Sequence, residues 1–298
     1  MLARALPLLF VLIWSTGFIA ARLVAPYTDP LTFLCYRYAL TVIAFVIIAL
    51  AVGAPWPRGV RGWANALITG VLLQGIYLGG VFWAIRHGMP AGLSALIIGL
   101  QPLITAFMAV PALGERVTAR HWTGLIVGFA GVVIVLWPKI GVVGAGVTVA
   151  TLTASVISVL GMSAGTIWQK RFVQGANLMR GTFWQYLGGV IAAVPMILFF
   201  EEGQLEINGS TIFAMTWLVF VLSIGAIMLL MYLIREGAIS KVASLFYLVP
   251  ACTAVFAWIL FGEELLPVQI FGMAVTSFGV ALATGAGPKP AGAGSGSA

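Results

Sequence analysis

Carboxylates are nearly missing from this chain. Of 298 residues only eight are Asp or Glu, and Asp29, Glu115, Glu201, Glu202, Glu206, Glu236, Glu263 and Glu264 all fall between long apolar runs or at their ends. No acid occupies the centre of a run, where proton-driven pumps commonly keep one. Cysteine and histidine are scarcer still. Cys35 and Cys252 lie inside apolar runs without CxxC or ligand spacing and read as packing residues. His87 and His121 lie at run ends with no partner at metal-ligand spacing. Neither a metal nor a cofactor is expected. P-loop, GxSxG and HExxH patterns are missing as well, which removes the usual sequence support for ATP-driven transport and for membrane proteolysis.

What is present is apolar: 61% of residues are hydrophobic, 8% are charged, and 36 glycines are spread through the runs. Ten runs are long enough to span a bilayer: 5–25, 31–52, 63–86, 90–113, 119–137, 148–171, 179–200, 211–235, 240–261 and 266–284. They lack the alternating polarity of barrel strands, so helices must satisfy the backbone in lipid. An all-α integral membrane protein of ten transmembrane helices is expected. The first run is longer than a signal-peptide core and reads as a retained helix. The connecting loops are short and leave no room for a catalytic domain. Residues 285–298, rich in Gly, Ala, Ser and Pro, read as a disordered tail.

The net charge of +7 reads as a topology signal. With both termini in the cytoplasm, Arg4, Arg58, Arg61, Arg116, Arg120, Lys170, Arg171, Arg180, Arg235, Lys241 and Lys289 lie inside, and only Arg22, Arg37, Arg86 and Lys139 lie opposite. Basic residues dispersed over five loops form no stripe for a nucleic acid, so none is expected as a partner. A bacterial inner membrane fits, and a monomer is expected because ten helices can enclose a pathway alone.

Residues 102–132 and 250–280 repeat one pattern at an offset of 148. Pro102, Thr105, Ala106, Ala109, Gly114, Glu115, Gly124, Val127, Gly131 and Val132 meet Pro250, Thr253, Ala254, Ala257, Gly262, Glu263, Gly272, Val275, Gly279 and Val280. Ser15, Gly17, Ile19 and Arg22 likewise meet Ser163, Gly165, Ile167 and Lys170, and a shift of two sets Thr32, Phe33 and Tyr36 against Thr182, Phe183 and Tyr186. Two five-helix repeats follow, residues 1–138 and 139–284. An odd number of crossings per repeat makes the second copy inverted, the plan of many secondary transporters.

The Pro-x-x-Thr-Ala stretches, Gly-Glu-Arg at 114–116, Gly-Glu-Glu at 262–264 and the Trp14–Phe18 segment resemble the drug/metabolite transporter superfamily, EamA branch, most closely its YddG-type amino-acid exporters. The likeness covers nearly all of residues 5–284. It implies a pseudosymmetric bundle around a central cavity bounded by the first, third, fourth, sixth, eighth and ninth helices, with the fifth and tenth peripheral. Small multidrug-resistance relatives carry a Glu in their first helix; this chain has none there, so facilitated export is expected.

A cavity for zwitterions needs a few polar groups in an otherwise apolar wall. Candidates at membrane depth are Trp14, Ser15, Gln74, Tyr77, Gln101, Ser163, Trp168, Tyr232, Ser244 and Tyr247. Gln74 and Tyr77 are three apart and share a helix face. The aromatics fit either a cavity wall, with a cation-attracting face, or the interfacial belt. Pro102 and Pro250 fall mid-run and suit either a paired hinge or a static bend. Glu115 and Glu263 follow a glycine at symmetric helix ends and are expected to hold the amides of the following helix. Arg37 either snorkels outward or pairs with Asp29. A cargo of amino acids is expected, with lipophilic cations, sugars or nucleotide-derived metabolites as the other carrier reading. An enzyme or structural bundle is disfavoured because no His, Asp or Glu cluster is present.

Overall fold

Lipid offers no partner to a peptide group, so each apolar run must close its own hydrogen bonds. The computed structural model of the chain has a helix in each of these runs, and it describes residues 2–51, 60–113, 119–139, 146–173, 178–226, 228–229, 232–233, 248–264 and 266–284. The helices are α1 (Leu2–Val24), α2 (Pro30–Ala51), α3 (Val60–Gly70, Val71–Leu78 and Gly79–Arg86), α4 (Ala91–Ile98 and Gln101–Leu113) and α5 (Ala119–Leu136). The second half supplies α6 (Val149–Phe172), α7 (Leu178–Phe200), α8 (Gly209–Thr216 and Trp217–Ala226), α9 (Val249–Phe261) and α10 (Pro267–Thr284). Among the described residues seven helices are long and apolar enough to cross a membrane, and Trp122–Leu136, Val249–Phe261 and Pro267–Leu282 are shorter apolar helices.

Two helices leave the α pattern at corresponding places in the two halves. Val71–Leu78 in α3 and Trp217–Ala226 in α8 are wound as π-helix. A π turn widens the helix and changes which side chains share a face, and such turns concentrate at functional sites. The helix α4 is also interrupted, at Gly99 and Leu100, and all eight residues of its first piece are buried. That piece packs on α9, with Gly92 against Ala254 and Gly99 beside Pro250.

Pro102 and Pro250 are not mid-helix. Pro102 is the second residue of Gln101–Leu113, and Pro250 the second of Val249–Phe261, in the first turn, where a missing amide costs little. Pro102 marks a helix restart beside the break at Gly99 and Leu100, and Pro250 stands in the first turn of Val249–Phe261.

The helices α5 and α10 pack chiefly against each other, through small residues. A Cβ at Gly279 would lie 2.7 Å from the Gly128 Cα and 2.8 Å from the Gly124 carbonyl oxygen, backbone atoms that have nowhere to go. Gly279→Val should therefore destabilise the protein by about 1–3 kcal/mol. The check is a lowered melting temperature in detergent, with Gly209→Ala, which meets open space, as the unaffected control.

One end of the bundle is stitched together by loops. Asp29 N–H donates to the Gln204 carbonyl (2.9 Å), Gln204 N–H to Asp29 Oδ2 (3.0 Å) and Glu206 N–H to the Tyr27 carbonyl (2.9 Å). Thr28 and Leu205 form an isolated antiparallel bridge. Glu263 departs from expectation here. Gly262, at φ 66°, turns the chain out of α9, and Glu263 Oε1 accepts from the Ala91 amide of α4 (3.4 Å) and meets Arg22 Nε (3.4 Å). The following helix does not need it, because Gln269 Oε1 already accepts from Leu266 N–H (3.1 Å). Glu115 lies outside the described residues.

Candidate functional site

An arginine cannot lose its charge readily in an apolar wall, so a buried one must find partners or serve a ligand. Arg37 enters the bundle two turns into α2 and is only 3% exposed. It neither snorkels nor pairs with Asp29, whose carboxylate serves the Gln204 amide instead. Its Nη2 donates to Ser223 Oγ (3.1 Å) on the π segment of α8. Tyr186 OH donates to the same oxygen (2.7 Å), and Ser223 in turn donates to the Leu218 carbonyl (2.8 Å). The guanidinium is thereby fixed by one edge. Its Nε–H is buried without a partner.

Arg37 forms part of the wall of a cavity of about 280 Å3 in the middle of the bundle. Three helices of each half line it. From the first half come Trp14, Gly17 and Phe18 of α1, Arg37 of α2, and Gln74, Tyr77 and Phe82 among the α3 residues. The second half gives Met162, Thr166 and Gln169 of α6, Thr182, Gln185 and Tyr186 of α7, and Leu222 of α8. Among the described residues the wall carries no Asp or Glu. Arg37 is thus its single formal charge among the described residues.

Helices α2 and α3 are tied beside this cavity. Tyr38 OH donates to the main-chain carbonyl of Gln74 (2.7 Å), within the π segment. The Gln74 side chain faces the cavity, and its Oε1 is buried with no donor. Tyr186 is held between Tyr38 (ring centroids 5.8 Å apart) and Phe45 (6.2 Å).

Three of the sequence-expected lining residues, Trp14, Gln74 and Tyr77, stand in the wall. Ser15 does not: it is fully buried between α1 and α9, donating to the Val11 carbonyl (2.8 Å) and approaching that of Val249 (3.5 Å). Gln101 lines a second crevice of about 320 Å3, with Pro102, Thr105 and Lys170, which shares only Thr166 with the first. There Gln101 Nε2 donates to Thr105 Oγ1 (2.9 Å) and Thr166 Oγ1 (3.3 Å). Ser163 is buried and donates to the Gln101 carbonyl (3.4 Å). Trp168 packs on Phe172, centroids 4.5 Å apart, outside either wall. Tyr232 is 44% exposed and outside both as well. Ser244 and Tyr247 lie outside the described residues.

The ring of helices also differs from expectation. Among the described residues, helices α2 and α7 line the cavity, whereas α4 and α9 do not and pack instead on each other and on α1.

The profile of the EamA-like transporter family matches residues 2–137 and again residues 149–285. This chain belongs to the EamA-like transporter family.

Relatives of this EamA-like transporter are distant but match along most of its length. A WAT1-related chloroplastic protein of Arabidopsis thaliana is 24% identical over 88% of this chain, which spans 64% of that protein. The inner membrane transporter YedA of Escherichia coli K12, itself uncharacterized, is 25% identical over 92% of this chain and 87% of its own length. A probable amino-acid metabolite efflux pump of Salmonella typhimurium is 23% identical over 92% of both. One solved crystal structure shares the fold, with a TM-score of 0.64 at 19% identity over 95% of this chain and 96% of the other. The EamA-like chain is a multi-pass membrane transporter.

Within this EamA-like protein the polar lining is lopsided. The shift that sets Tyr36 against Tyr186 sets Leu187 against Arg37, so the repeat supplies the cation once. Gln169, Gln185 and Thr166 were not singled out by the sequence, and Thr182 and Tyr186 only as repeat positions, not as lining residues. Arg37 carried a usable signal: seven residues into α2 is about 10 Å from the helix start, a third of the way across a hydrocarbon core of about 30 Å.

Proposed function

We propose that this transporter exports amino acids, the neutral and aromatic ones and similar small zwitterions, across a bacterial inner membrane by alternating access. Residues 1–138 and 139–284 act as two inverted five-helix repeats around one passage, with both termini cytoplasmic and the chain working as a monomer. The protein catalyses no reaction and needs no cofactor. The observation that carries the reading is the central cavity, to which each half contributes three helices. Its wall combines aromatic surface for a side chain with a few hydrogen-bonding groups for charged ends, the balance a small amphiphilic solute requires. The name of the Salmonella relative, an amino-acid metabolite efflux pump, agrees. Cationic drugs fit less well, because Arg37, the one charge in the wall among the described residues, repels them.

Transport runs down the solute gradient. Among the described residues the cavity wall has no carboxylate to carry a proton, and the eight acids lie at or beyond run ends. The test is efflux of radiolabelled amino acids from vesicles holding the purified chain. Phenylalanine efflux above that of empty vesicles is expected, with the same rate whether or not a pH gradient is imposed. A substrate-dependent proton current would overturn the uncoupled mechanism, and no amino-acid movement at all would overturn the substrate class.

A further inference from the structure

Two buried atoms in one wall lack partners of opposite kinds. Arg37 Nε–H is a donor without an acceptor, and Gln74 Oε1 is an acceptor without a donor. A buried polar atom left unpaired is costly, and an unpaired buried charge more so. Native proteins keep such atoms where something else completes them. Here they belong to neighbouring helices pinned together at that level, since Tyr38, the residue after Arg37, holds the Gln74 carbonyl.

We infer that the cavity reads both ends of one α-amino acid, with Arg37 taking the carboxylate and Gln74 Oε1 taking the ammonium. This rests on the amino-acid reading above and assigns the residues that enforce it. The guanidinium is a planar fork suited to two parallel bonds with a carboxylate. Ser223 occupies part of the Nη2 edge, with its own hydroxyl committed to Leu218 and approached by Tyr186, so the group is held in one orientation. The Nε–H has no partner and no open surface, so a carboxylate in the cavity pairs with it as the surrounding side chains yield to the ligand. At the other end, an amide oxygen and the rings of Trp14, Phe18 and Tyr77 suit an ammonium and an aromatic side chain, and among the described residues no carboxylate stands in the wall to bind a bare cation instead.

Three probes separate the two ends: L-phenylalanine, its methyl ester, which lacks the carboxylate, and 3-phenylpropionate, which lacks the ammonium. Binding to the full chain in lipid nanodiscs is read by thermal stabilisation, and transport by counterflow in vesicles. The wild type should favour phenylalanine over each of the other two by about tenfold or more. Arg37→Gln should erase the preference over the ester while keeping that over 3-phenylpropionate, with Arg37→Lys intermediate; Gln74→Leu should do the reverse. Unchanged ratios in these variants overturn the assignment. If the variants fail to fold, the wild-type ratios decide: equal affinity for all three probes overturns it, and preference for phenylalanine over both supports it. If the wild type neither binds nor moves any amino acid, the proposed function falls. In that case 3-phenylpropionate binding lost in Arg37→Gln would still support the carboxylate anchor, and no binding would overturn it.

Discussion

A phenylalanine in place of Gly17 slows transport at low solute concentration while leaving the protein folded. Gly17 is part of the wall of the central cavity, and a Cβ added there would lie 3.3 Å from Leu222 Cδ2, on the opposite half of the molecule. A methyl group fits after a slight movement of that flexible leucine, so Gly17→Ala should be close to neutral. A ring has no room except the cavity itself. A cargo that must displace it loses about 1–3 kcal/mol, a fall of about 5- to 150-fold in affinity and hence in efflux at low solute concentration. The measurement is initial efflux rate in vesicles, with elution profile and melting temperature showing that the variant is intact. Full transport by a folded Gly17→Phe protein would mean that cargo does not pass through this cavity.

The helical runs and the duplication were legible because their causes are local or repeated. A span announces itself by length and by missing charge, and each of the ten expected runs holds a helix among the described residues. The glycines matched across the repeat include Gly131, Gly272 and Gly279, which form the α5–α10 contact. That pair had been placed at the periphery, and it packs chiefly on itself.

What the sequence did not disclose depends on helix rotation and on register. The π segments of α3 and α8 have no residue signature, since a shift from four- to five-residue hydrogen bonding uses the same backbone groups. Their effect is nevertheless to present Gln74, Tyr77 and Leu222 to one space. Ser15, Gln101, Ser163 and Trp168 have the chemistry of lining residues, and yet each turns to another contact. Polarity at membrane depth does not tell a side chain that faces a cavity from one that bonds its own helix or a neighbour. Arg37 was visible as a deep cation, but Asp29 was a plausible neighbour eight residues away until the Gln204 amide was seen to take its carboxylate.

Glu201→Ala should be the most destabilising single change at the stitched end of the bundle. A helix start leaves its first amides unpaired, and those of α2 are met from across the molecule. Glu201 Oε1 accepts from Leu31 N–H (2.8 Å), and Oε2 from both Thr32 N–H (2.8 Å) and Thr32 Oγ1 (2.9 Å). The negative carboxylate also lies at the positive end of the α2 dipole. Truncation removes all three bonds and strands two amides, and water reaches them only in part, so a loss of about 2 kcal/mol is expected. Glu201→Gln keeps the shape but turns an NH2 towards an amide donor and should lose about half as much. Glu202, next in the chain, is exposed and bonds only the Gln204 side chain (2.9 Å), and Glu202→Ala should stay within about 0.5 kcal/mol of the wild type. Thermal unfolding of the three variants in one detergent gives the ranking. Equal melting temperatures for Glu201→Ala and Glu202→Ala would show that the α2 start does not depend on this carboxylate. Since Glu201 follows the last residue of α7 and its partners begin α2, the contact joins helices from opposite halves, both of which line the cavity. Its loss should also lower the efflux rate of protein that remains folded.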